Sequence, residues 1–101
     1  MAEPIDPVAE FKRVRIQAQK IRADAIRSRI QTAQLFCALA ESQTSATTDH
    51  ARTILSKVIR SIAEIEHHIT EPDHVSRASA DELKKLLSEL KTRVDRIGNS
   101  L

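Results

Sequence analysis

Residues 7–43 read PVAEFKRVRIQAQKIRADAIRSRIQTAQLFCALAESQ, and this stretch decides the fold. Asp6 is placed to cap the free backbone N–H groups of a first helical turn, and Pro7 falls where a helix has no use for its own N–H. No Gly and no second Pro interrupts the run before the polar stretch Gln43-Thr44-Ser45-Ala46-Thr47. One helix of about 54 Å is therefore predicted, at 1.5 Å rise per residue.

Its apolar residues fall on two stripes. One runs Phe11, Val14, Ala18, Ile21 and Ala25, passes polar Ser28 and Thr32, and continues to Leu35 and Leu39. The other runs Ile16, Ala23, Ile26, Ile30, Ala33, Cys37 and Ala40. At 100° per residue the two stripes lie roughly 130° apart, whereas a helix at the edge of a bundle needs only one buried face. Towards the C-terminal end they merge, so that Leu35-Phe36-Cys37-Ala38-Leu39-Ala40 is expected to be covered from several sides.

A second helix is predicted over 48–70, with Thr47 as a cap and Pro72 as the barrier beyond its end. Ala51, Leu55, Val58, Ile62, Ile65 and Ile69 keep a heptad, which Ile54 and Ile59 widen. Residues 71–78 read as a loop. A third helix is predicted over 79–97, opened by a Ser79-Ala80-Asp81-Glu82 capping box and stopped by Gly98-Asn99. Leu83, Leu87, Leu90, Val94 and Ile97 form its inner face, with Leu86 adding width. Residues 1–6 are expected to be a flexible lead-in.

The chain of 101 residues is then a single all-α domain, a three-helix antiparallel bundle whose first helix outruns the other two. Composition agrees: one Gly, two Phe, no Trp and no Tyr leave little for sheets or tight turns. A single Gly also excludes a glycine-rich phosphate loop. The lone Cys37 excludes an internal disulfide, and a reducing cytoplasm is the expected setting. No stretch reaches the ~18 consecutive apolar residues of a membrane span. The acidic start Met1-Ala2-Glu3-Pro4-Ile5-Asp6 lacks the apolar core of an export signal.

The length mismatch carries the functional expectation. The second helix should fold back over roughly Ile21 to Gln43, leaving the first four turns projecting with Phe11, Val14, Ile16, Ala18 and Ile21. Burying a large apolar side chain is worth about 1.5–3 kcal/mol, so a second copy is expected to cover them under two-fold symmetry. The expected interface is Phe11, Val14, Ala18 and Ile21 in the projecting half, with Ile26, Ile30 and Ala33 in the second seam. Its partner is a homodimeric copy or another helical protein.

Other chemistry is sparse. Arg15, Arg22 and Arg29 recur at seven-residue spacing, as do Arg13, Lys20 and Arg27, and such columns bind phosphate or an anionic surface. The net charge of only +2, and the absence of aromatics to stack on bases, favour internal pairing with Glu64, Glu66, Glu82 and Glu89. Glu64-Ile65-Glu66-His67 has the Glu-x-x-His spacing that metal-binding helical bundles use, but without a second such motif it is a weak metal candidate. The His-Lys-Gly pattern of phosphotransfer bundles is missing around His50 and His67, and no Trp-x-Gly turn is present. No hydroxyl or thiol is poised beside a base, so neither catalysis nor a cofactor is expected.

Overall fold

The computed structural model describes residues 6–43 and 48–101. The lead-in expected over 1–6 therefore falls outside them except at Asp6, and so does the Thr47 cap. Three helices follow in order, α1 (Pro7–Gln43), α2 (Thr48–Thr70) and α3 (Arg77–Ser100). Among the described residues there is no strand, and no helix is long and apolar enough to cross a membrane.

α1 is one unbroken helix of 37 residues. Its start is held as the sequence requires: the Val8 N–H donates to the Asp6 carboxylate at 3.0 Å and the Glu10 N–H to the Asp6 carbonyl at 3.0 Å. α3 departs from expectation at both ends. Its cap is Ser76 rather than Ser79, in extended geometry (φ −65°, ψ 157°) with its side chain accepting from the Ser79 N–H. Glu82, freed from a capping box, reaches Arg27 on α1 instead. At the other end Gly98 keeps a negative φ and the helix continues to Ser100. The reason is Leu101, which packs against the core and gives the last turn something to hold.

Ion pairs between helices report their directions. Arg15 pairs with Asp73 in the loop beyond α2 and Arg29 with Glu64 within it, so α1 and α2 run antiparallel. Arg27 pairs with Glu82 and Glu41 with Arg93, so α1 and α3 run parallel. Each such exposed pair contributes at most about 1 kcal/mol, and their value lies in fixing register.

The core lies between one face of each helix. α1 contributes Ala23, Ile26, Ile30, Ala33, Cys37 and Ala40; α2 contributes Ala51, Ile54, Leu55, Val58, Ile62, Ile65 and Ile69; α3 contributes Leu83, Leu87, Leu90, Val94 and Ile97. The small residues of α1 let the axis approach closely while α2 and α3 supply bulk, which is how facing positions fill space without voids. Three expectations fail here. Ile26, Ile30 and Ala33, assigned to an intermolecular seam, are filled by the chain's own α2 and α3. Leu35, Phe36 and Leu39 are exposed rather than covered from several sides, because only two helices pack on α1 and both take the same face. Ile59 faces outward for the same reason.

Leu83, at 0% exposure, is the centre of this packing. Leu83→Ala is expected to cost about 2–5 kcal/mol in chemical denaturation, whereas Ile59→Ala is expected to cost well under half of that.

Candidate functional site

Two features stand outside what the core needs. The first is the outward stripe of α1. From residue 7 to residue 17 the helix is exposed all round, and burial begins at Ala18 and Gln19. Phe11 is 70% exposed, Val14 57%, Ile21 63% and Leu35 72%, and Leu39 is open as well. The stripe thus stays open along the whole helix, beside the bundle as much as beyond it. Ala18 is half-buried and Ala25 exposed on the same row. Polar Ser28 and Thr32 interrupt it, and the Thr32 hydroxyl is turned back on the Ser28 carbonyl at 3.1 Å. Those interruptions explain which stripe entered the core. The Ala23–Ala40 row is apolar at every heptad step, whereas the outer row would have buried two hydroxyl residues.

The basic columns are largely spoken for. Arg15 holds Asp73, Arg29 holds Glu64 at 2.8 Å, and Arg27 holds both Asp24 at 2.8 Å and Glu82 at 3.1 Å. Arg13 lies 3.6 Å from Glu10, and Glu66 is taken by Lys91 at 2.6 Å. Hydrogen bonding to Glu82 raises the Arg27 pKa further. Arg22 differs: it is half-buried, and its Nε is enclosed without a hydrogen-bond partner. Arg15, Arg22 and Arg29 are therefore not equivalent despite their seven-residue spacing.

The second feature is the turn after α2. Glu71-Pro72-Asp73-His74 closes with the His74 N–H donating to the Glu71 carbonyl at 3.3 Å, and Asp73 has φ +59°. Proline in second place and a left-handed third residue are the pattern of a type II turn. A non-glycine residue in that region is strained, and α1 holds it there. The Gln19 side chain, at 9% the one buried polar residue described, donates from Nε2 to the Asp73 carbonyl at 3.1 Å. The Arg15 guanidinium takes the Asp73 carboxylate. This folds His74 back over the end of α2, where its ring stacks on His68 at 5.3 Å between centroids. One donor atom each from His68, Glu71 and His74 then lies within 4.8 Å of the others.

Glu64 and His67, the metal candidates read from the sequence, are not part of this cluster. Glu64 is occupied by Arg29, and His67 is exposed beside His68. The spacing His68-x-x-Glu71-x-x-His74 was visible in the sequence, but a helical reading stops at Thr70 and gives no reason for His74 to return. The signal was Pro72 followed by Asp73, a turn rather than a mere terminator.

Comparison with protein-family models, with curated proteins and with solved structures finds no match to this chain.

Cys37 gives no site. It is fully buried, and burial pushes its thiol pKa up. Near it, the Arg93 guanidinium hydrogen-bonds Glu41 at 2.7 Å and Gln34 at 2.6 Å, and holds the Glu41 carboxyl below the ordinary carboxylate range. A pKa lowered by folding contributes stability above the unfolded value and loses it as pH falls through the folded one. Wild type is therefore expected to exceed Glu41→Gln in stability at neutral pH. The difference should shrink to nothing on acidification below the carboxylate range, as read by urea melts across pH.

Proposed function

We propose that this chain is a non-enzymatic helical interaction module that self-associates by laying the outer stripe of α1 against the same stripe of a second copy. The observation that carries this reading is the row Phe11, Val14, Ile21, Leu35 and Leu39, exposed on one uninterrupted helix. The row covers about 42 Å at 1.5 Å per residue. Each of these side chains gains about 1.5–3 kcal/mol when fully buried, and several large apolar side chains exposed along one helix face mark a contact with a partner.

The stripe is also self-complementary. Its ends are large (Phe11 and Val14, Leu35 and Leu39), and its middle is small, Ala18, Ala25, Ser28 and Thr32, apart from Ile21. Ala25 lies midway between Phe11 and Leu39. A two-fold axis through the middle lays the projecting Phe11 and Val14 of one copy on Leu35 and Leu39 of the other, and the small central residues permit close approach. Both projecting ends then acquire a floor that their own chain does not supply. Arg15, Arg27 and Arg29 are each paired within the chain, which partly neutralises the basic columns and supports the apolar reading over a nucleic-acid or anionic-surface contact.

In sedimentation at micromolar concentration the protein is expected at twice its 11.3 kDa chain mass. Phe11→Asp or Leu35→Asp should convert it to a monomer with unchanged helical content, since both side chains are exposed within one chain. A clean monomer indifferent to these changes would reject self-association. Mixing Phe11→Cys with Leu39→Cys protein should give the mixed disulfide; only self-linked products would instead mean parallel packing.

A further inference from the structure

We propose that His68, Glu71 and His74 form a binding site for one divalent transition-metal ion, with Zn²⁺ the best fit to the donor set. Two borderline imidazole nitrogens with one hard carboxylate oxygen make a donor set that Zn²⁺ accepts, and a fourth position is left to water or an exogenous ligand. The geometry is close to what the ion needs. In a tetrahedron with bonds of about 2.0–2.1 Å, donors stand roughly 3.3–3.4 Å apart. The His74 Nδ1 is already 3.4 Å from the Glu71 carboxylate and the His68 Nδ1 is 3.8 Å from it. All three donors already lie within 4.8 Å of one another.

Three further observations separate this cluster from ordinary solvated residues at a helix end. The His68 Nδ1 is enclosed and has no hydrogen-bond partner, a state that carries a desolvation penalty unless something coordinates it. The turn that returns His74 to His68 is strained at Asp73 and held by a buried Gln19 amide and by Arg15, so α1 pre-positions one ligand against the others. The site also opens on a cleft of about 190 Å³ that His68 and His74 share with Arg22, Ala25, Ile26 and Arg29, which leaves room for an exogenous ligand. The cluster lies at the C-terminal end of α2, where the negative end of the helix dipole favours a cation. Arg22 opposes it by charge, which places the site among exchangeable rather than tightly locked ones. An anionic fourth ligand, hydroxide or chloride, would offset that charge and give the orphaned Arg22 Nε an acceptor.

The three ligands lie off the outer stripe, which meets the cleft only at Ala25, so the Phe11→Asp variant tests metal binding apart from self-association. Titration of the full chain with ZnCl₂ by calorimetry, and with Co²⁺ followed by visible absorption, is expected to give one ion per chain and a spectrum of low-coordinate cobalt. The same stoichiometry is expected in the Phe11→Asp variant. His68→Ala, His74→Ala and Glu71→Gln should each weaken binding by at least about tenfold, whereas His67→Ala and His50→Ala should leave it unchanged. Gln19→Ala should weaken binding while keeping its stoichiometry. Should any of these variants lose helical structure, line broadening by Co²⁺ of the His68 and His74 ring signals in the wild-type protein decides the matter. No binding, binding lost only with His67 or His50, or broadening elsewhere would overturn the proposal.

Discussion

The close approach of α1 to its two companions along Ala23, Ile26, Ile30, Ala33, Cys37 and Ala40 is the contact on which the rest of the molecule depends. These residues are mostly small, and small residues bring helix axes together and bring the bulk of α2 and α3 into one layer. Once this face is committed, the opposite face of α1 is committed too. A helix packed on one side by both neighbours keeps its other side open, and here that side carries Ile21, Leu35 and Leu39, in line with Phe11 and Val14 on the projecting end. The exposed stripe is therefore a direct consequence of how the core is built.

The charges add register to this packing. Arg27 to Glu82, Arg29 to Glu64, Lys91 to Glu66 and Arg93 to Glu41 tie each helix to both others at its rim. Individually such pairs are weak. Collectively they select one rotational setting for each helix, and so determine which residues are left unpaired. Arg22 and His68 are the consequence: each has a nitrogen enclosed without a partner, and they face one cleft. Likewise, the buried Gln19 finds its acceptor outside the helical core, on the strained Asp73 turn. The end of the bundle where α1 emerges is thus organised by polar contacts where the middle is organised by apolar ones.

Much of this was readable from residue order. The absence of any Gly or Pro between Val8 and Gln43 required one long helix, and the Asp6-Pro7 start is used as written. The heptads of α2 and α3 name their buried residues almost completely. Errors arose where two local signals competed. Ser79 and Ser76 both lie ahead of α3, and only the packing of that helix, with Glu82 drawn to Arg27, gives the cap to Ser76. Gly98 permits a helix stop, and Leu101 removes the need for one by finding the core. Leu35, Phe36 and Leu39 looked covered because periodicity measures how apolar a segment is, not how many neighbours it has.

The sequence by itself determined the helices, their order, the length mismatch and the presence of two apolar rows on α1. These are local or compositional properties, fixed by propensity, capping and spacing within one segment. Only the tertiary structure decided which row is interior, which arginines are engaged and that His74 returns to His68 and Glu71. Each of those depends on where a distant segment lies, and a chain read one helix at a time carries no measure of distance between residues fifty positions apart.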